Sequence, residues 1–272
     1  MSKPNKHHYV PQCYLKRFSC DNKNIRFFDK SLDKCSCDEI EKFCQIENFY
    51  YLSQNTDPYY IETTFFANDI EDKLGKLLNF FDLIDTTDNK VEFNKDRRLK
   101  LSYQIVLQYL RIPKYRFMKS STEIDLYLFQ IRAILEQLFN FEVEEISFEG
   151  DDAEFHKNIL LEKENIKKIA NEISEASWEL LHVGEGEFYS SDNPIVIMAR
   201  EDMPVTYCDA IIYFDQIYYP INSNLLLHIS AKLNKNFKFI PIREIDNVEV
   251  EEINSFVKRK AEKYIIYKNE FK

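Results

Sequence analysis

The chain has 272 residues, enough for one large domain or two small ones, and its 22 phenylalanines and 17 tyrosines indicate a folded protein. Only four residues are glycine, which excludes the glycine-rich phosphate loops of Rossmann and P-loop proteins, because those need several glycines at fixed spacing. The formal net charge of −10 argues against a protein that coats nucleic acid electrostatically.

The composition also predicts a location. The sequence has no apolar run of the ~20 residues that a membrane helix requires, so we expect no membrane partner. Residues 1–8 are polar and lack the apolar stretch of a signal peptide. Six cysteines without a secretory signal are typical of reduced thiols, and we predict a cytoplasmic protein.

Short elements are predicted in the N-terminal part, residues 1–57. A brief helix is expected at 11–18, with proline in its first turn, and aromatic strands at 25–29 and 49–52. The segment before this helix carries His7, His8 and Gln12 within a dozen residues. Histidine titrates near neutral pH and binds metals when neutral, so this pair is a candidate site.

The central part, residues 58–172, is predicted to be helical. Apolar residues recur at helical spacing for several turns from its start, and further helices are expected at 95–111 and 122–141. The acidic stretch 142–154 is predicted to be a loop, after which helix resumes to about residue 171.

The last part, residues 173–272, changes to short apolar runs that are typical of strands. They lie at 178–183, 195–198, 211–219 and 225–229, and a closing helix is expected at 250–264. We therefore predict a single α+β domain over 1–272. Its helical centre would pack on a mainly antiparallel sheet built from the C-terminal third, with the N-terminal strands as candidate members.

A polar strip runs along the helix predicted at 95–111. At ~100° per residue, Gln104, Gln108 and Arg111 fall within about 60° of one another, with apolar residues on both sides. If these groups are buried they must be hydrogen-bonded, and Arg111 must face an anion. The strip is either an internal salt bridge and amide network or a ligand site.

Two carboxylates stand out in the helix that starts near residue 58. Glu62 lies beside the apolar stripe and is a candidate partner for Arg111 or for a histidine. Glu71 would lie nearly opposite Glu62 on an α-helix, so it is predicted to face solvent.

A polar break, 190–194, interrupts two apolar runs. Asp192 either accepts backbone N–H groups in a turn or projects with Asn193 into a cleft. We expect His7 or His8, Gln108 or Arg111, and Asp192 to converge.

These features together resemble bacterial domain-of-unknown-function family 4238 over most of the chain. The family has no established activity, so the resemblance implies kinship and a shared set of polar residues without implying a reaction. The matching phrases are HHYVPQ at 7–12, Ile61-Glu62, Gln104, Gln108, Arg111, Pro113, Trp178, SDNP at 191–194, Tyr219-Pro220 and Asn254.

Three hypotheses follow. The first is a hydrolase acting on phosphodiesters, a nuclease-like defence protein against phage or a toxin effector, whose partner is nucleic acid or a phosphorylated small molecule. Its catalytic residues would be His7, His8, Glu62 and Asp192, and its ligand-binding residues Gln12, Gln104, Gln108, Arg111 and Asn193. The second is a non-catalytic anion-binding module, and the third is a structural role for the same residues.

The hydrolase has two versions. Acid–base catalysis needs no metal, whereas a metal-assisted reaction would use a divalent cation such as Zn²⁺ or Mn²⁺. One histidine and either Asp192 or Glu62 would then be its ligands. The sequence leaves the oligomeric state open.

Overall fold

The computed structural model describes residues 5–52, 56–118, 136, 152–201, 210–233 and 238–272. Almost all of the predicted helix 122–141 and most of the predicted loop 142–154 lie outside these ranges. In chain order the elements are β1 (Lys6–His8), α1 (Gln12–Leu15), β2 (Asn24–Asp29), β3 (Lys34–Glu39), β4 (Gln45–Glu47), a π-helix (Ile61–Glu71), α2 (Asp72–Asp82), β5 (Lys90–Glu92), α3 (Lys95–Leu110), α4 (Pro113–Met118), α5 (Asp152–Leu161), α6 (Lys163–Glu175), β6 (Ala176–Val183), β7 (Ser190–Ser191), β8 (Val196–Ala199), β9 (Phe214–Pro220), β10 (Leu225–Leu233), β11 (Phe239–Ile245), α7 (Asn247–Lys260) and β12 (Tyr264–Tyr267).

A six-stranded sheet, in the order β5-β11-β6-β10-β9-β8, is built mainly from the C-terminal third. Its strand pairs are antiparallel apart from β11 and β6, which run parallel. The fold is therefore α+β, as the sequence predicts. None of the helices within the described ranges is long and apolar enough to cross a membrane.

The large sheet separates two apolar clusters, because successive side chains of a strand point to opposite faces. On β6, Trp178 and Leu180 pack with residues of α3 and α6, whereas Leu181 and Val183 pack with residues of α7. The indole N–H of Trp178 donates to the carbonyl of Ile173 at 2.9 Å and so ties β6 to the end of α6.

Helix α3 is buried around most of its circumference. Asn94 caps its N-terminus by accepting a hydrogen bond from the amide of Arg97 at 3.0 Å. The helix ends at Leu110, one residue before the predicted end. Pro113 follows three residues later, and proline disfavours helix at the residue before it. Gln104 and Gln108 are buried together with their apolar neighbours, so the predicted polar strip lies inside the protein.

The N-terminal strands β2 and β3 do not join the large sheet. They form a second sheet in the order β3-β2-β12-β7, which pairs them with the C-terminal end of the chain. Two local predictions are wrong. Residues 49–52 form turn and irregular structure rather than a strand, and the closing helix stops at Lys260, with Tyr264–Tyr267 a strand.

The helix expected from residue 58 begins with π geometry over Ile61–Glu71 and continues as α2. A π-helix closes hydrogen bonds from i to i+5 and holds about 4.4 residues per turn, so nine residues complete roughly two turns. Glu62 and Glu71 therefore share a face. The prediction that Glu71 faces solvent is corrected, because its carboxylate pairs with Arg111 at 3.0 Å.

Candidate functional site

His7 belongs to the apolar interior. It lies on β1, which pairs with β4, and its side chain has no exposed surface. Nδ1 accepts a hydrogen bond from the amide of Tyr50 at 2.7 Å, and the imidazole is stacked on the Tyr50 ring with 5.7 Å between centroids. This geometry fastens the N-terminal strand to the segment after β4.

His8 points the other way and is half-buried. Its Nε2 donates to the carbonyl of Glu41 at 3.1 Å and also lies 3.5 Å from Nε2 of Gln12. With Nε2 as the donor, Nδ1 holds the lone pair. Burial lowers the pKa of His8 below 6.5, with Glu71 opposing and Arg111 reinforcing the shift. The imidazole is therefore mainly neutral at pH 7.

Helix α3 holds the backbone of the histidine segment through two buried side chains. Arg111 donates from Nη2 to the carbonyl of His8 and to the carboxylate of Glu71, and its guanidinium lies 3.9 Å from the centroid of Phe66. Gln108 donates from Nε2 to the carbonyl of Tyr9 at 3.0 Å. Arg111 thus has the anion that burial demands, and this anion belongs to the protein.

Glu62 is the most perturbed carboxyl group near His8. Its Oε1 accepts from the amide of His8 at 3.4 Å, while Oε2 is buried without a hydrogen-bond partner in the described part of the chain. Burial raises the pKa of Glu62 to about 7, with Glu71 adding to the rise and Arg111 opposing it. The carboxyl of Glu62 therefore contacts the backbone of His8, and the pKa values of the two side chains are moved in opposite directions.

An open cleft of about 410 Å³ lies next to two residues that contact His8. Gln12 and Glu41, the two residues that contact Nε2 of His8, line it. Lys16 and Lys23 are the cations on its wall, where they suit an anionic ligand. The other lining residues are Asn22, Asn24, Glu39 and Ile40.

Asp192 and Asn193 have a different place. Asp192 is buried and accepts three backbone hydrogen bonds, from Glu262 at 2.9 Å, Lys263 at 2.8 Å and Tyr264 at 3.1 Å. Asn193 donates to the carbonyl of Lys260. Because Asp192 takes up these three amides, α7 cannot continue, which explains why the closing helix ends early.

The expected convergence is therefore partial. Arg111 binds the carbonyl of His8 and Gln108 that of Tyr9, but no hydrogen bond between described residues joins Asp192 to this group. Asp192 lies close enough that its charge contributes to the raised pKa of Tyr9, after the larger effect of burial. The catalytic roles predicted for Asp192 and His7 stay predictions. Among the described residues, neither side chain is hydrogen-bonded to the His8 side chain.

We expect Asp192→Ala to destabilise the protein. Three amides of the turn before β12 would lose their acceptor, at about 1–3 kcal/mol, which lowers the Tm by roughly 5 °C in a chain of this size. Thermal unfolding followed by circular dichroism measures the shift. Asp215→Ala, at an exposed position of β9, is the control, and equal Tm values for both variants would contradict this role of Asp192.

Gln104 is separated from the histidine group. It is buried and lines a cavity bounded by the π-helix, α3 and α6. The residues that the sequence did not reveal are Glu71, Glu41 and Tyr50. Glu71 would have been found only by recognising the π-helix, and Glu41 and Tyr50 act here through backbone groups that carry no sequence signal.

Within the described ranges, no group of three or more His, Cys, Asp and Glu side chains is arranged to hold a metal ion. The metal-assisted version of the hydrolase hypothesis therefore has no ligand set in this part of the chain. The acid–base version needs only the neighbouring His8 and Glu62.

Comparison with known proteins gives one result. Neither the curated proteins nor the solved structures contain a significant match to this chain. A family model described as "Protein of unknown function (DUF4238)" matches residues 6–271, nearly the whole length, which confirms the resemblance drawn from the sequence. The chain belongs to this family, DUF4238.

Proposed function

We propose that the protein is a hydrolase of phosphodiesters in which His8 is the general base and Glu62 the general acid. The observation that carries the proposal is the buried carboxyl of Glu62, which has a pKa of about 7 and one oxygen without a partner among the described residues. It contacts the backbone amide of His8, whose own imidazole is neutral. Opposed pKa shifts in neighbouring groups are typical of acid–base pairs.

The proposed reaction needs one water molecule. Its oxygen attacks the phosphorus atom as its proton passes to Nδ1 of His8. The bond from phosphorus to the leaving oxygen breaks as the carboxyl of Glu62 donates its proton to that oxygen. Lys16 and Lys23 on the cleft wall would hold the anionic substrate. A nuclease-like role in phage defence, or as a toxin effector, belongs to the same proposal.

A non-catalytic anion-binding module is the second candidate. It is favoured by the many polar residues of the region that already serve the fold, since Arg111 is paired with Glu71 and Gln108 holds Tyr9. In that case the lysines of the cleft would bind a phosphate without turnover.

An assay with a chromogenic phosphodiester, RNA and DNA, run in the presence of EDTA, tests the proposal. The wild-type protein is expected to release product, and His8→Gln to be slower by about 10²–10⁴-fold, because the base is lost. His182→Gln, on β6 of the large sheet, is the matched control and should keep the wild-type rate. Saturable binding of these substrates without turnover would replace the hydrolase by the binding module.

A further inference from the structure

A second cavity, of about 530 Å³, lies away from the cleft at His8. The π-helix, α2, α3 and α6 surround it, and it falls in the size range of small-molecule sites. Its apolar wall consists of Phe65, Ile70, Leu99 and the half-buried ring of Tyr103. An apolar wall of this kind suits a flat or aliphatic ligand body.

Gln104 is the buried polar group of this cavity. Its side chain is only 6% exposed, and it makes no side-chain hydrogen bond within the described part of the chain. An amide that lines a cavity and is not bound by the fold can donate to and accept from a ligand that enters the cavity. The amide offers both donors and an acceptor, which match the edge of a nucleobase.

Four lysines contrast with a single carboxylate in the lining. Lys73, Lys100, Lys163 and Lys167 surround the cavity, and Asp69 is the acidic residue among them. Lys100 and Lys167 also form ion pairs within their own helices, but exposed pairs of this kind are weak and free the lysine readily. Among the described lining residues the lysines outnumber the carboxylate, although the chain has a net charge of −10.

We propose that this cavity binds a nucleoside phosphate. The base would stack on Tyr103 with its edge hydrogen-bonded to Gln104, the phosphate would bind the lysines, and Asp69 would accept from the ribose hydroxyls. A fatty acid would suit the wall and the lysines but would leave Gln104 unpaired. The site is separate from His8 and Glu62, so it does not depend on the proposed hydrolase activity.

Calorimetric titration of the full-length protein with AMP, ADP and GMP tests this proposal. We expect saturable binding of at least one of them, weakened about tenfold by Gln104→Leu, which keeps the side-chain volume but removes the hydrogen bonds. Lys167→Gln should also weaken binding, whereas Lys168→Gln, at the next and exposed position outside the lining, should not.

Decanoate and inorganic phosphate are the competing probes. Binding of decanoate that is stronger than that of every nucleotide and unaffected by Gln104→Leu would overturn the proposal in favour of an aliphatic anion. If inorganic phosphate binds as tightly as the nucleotides, only the lysines contribute to binding, and the proposal is overturned as well. The absence of saturable binding by any of the three nucleotides would also refute it.

Discussion

Arg111→Met is expected to destabilise the protein by about 3 kcal/mol, because a buried guanidinium is removed from a partly exposed carboxylate and a backbone carbonyl. Methionine keeps an apolar stem against Phe66 but leaves the carbonyl of His8 and the carboxylate of Glu71 without their donor. Chemical denaturation at pH 7 measures the free energy of unfolding. We expect the midpoint to fall while the slope with denaturant is unchanged.

Two further variants test whether the loss of the Arg111–Glu71 ion pair causes this destabilisation. Arg243→Met removes an exposed guanidinium that pairs with Glu249, and it should change the free energy of unfolding by no more than about 1 kcal/mol. Adding Glu71→Gln to Arg111→Met removes the unpaired carboxylate and should restore part of the lost stability. Equal effects of Arg111→Met and Arg243→Met would show that the buried pair does not hold the histidine segment.

Glu62→Gln is expected to lower the hydrolytic rate by about 10²–10⁴-fold, because glutamine has no proton to donate to the leaving oxygen. In the wild-type protein, the rate should fall as pH rises through about 7, where Glu62 loses its proton. It should also fall at acid pH, as His8 becomes protonated below its lowered pKa. A pH profile of kcat/KM measures both limbs.

Although Glu62→Gln should lower the hydrolytic rate, it should raise the stability of the protein at neutral and alkaline pH. The pKa of Glu62 in the folded protein is about 7, above the value of about 4.3 for an unfolded chain. The folded state therefore binds more protons in this window, and its stability decreases as pH rises from about 4.3 to 7. Glu62→Gln removes this loss, so its Tm should exceed that of the wild type by roughly 10 °C at pH 8 and equal it near pH 4.

Glu47→Gln, at an exposed position of β4, is the control for both measurements. It should keep the wild-type rate and the wild-type dependence of Tm on pH. If Glu62→Gln retains the fall in rate at alkaline pH, Glu62 is not the general acid. A Tm difference from wild type that does not change with pH would contradict the raised pKa.

The positions of the predicted site residues show which features of the site local sequence patterns can predict. The spacing of Gln104, Gln108 and Arg111 placed these residues in one polar strip with apolar residues on both sides, and the structure buries all three. The sequence also required Arg111 to face an anion if it were buried. It did not identify Glu71 as that anion, because α-helical rotation would place Glu71 opposite Glu62, whereas the π-helix turns each residue through a smaller angle.

The sequence by itself determined the α+β class, the family, the limits of α3 and the identity of the polar residues, since periodicity, prolines and motifs are local properties. The tertiary structure alone decided which of those residues lie together and which lie in separate parts of the fold. His8 lies with Glu62, Asp192 closes the turn before β12, and Gln104 lines a separate cavity. These contacts join segments that are distant in the chain, and local spacing holds no information about which distant groups meet.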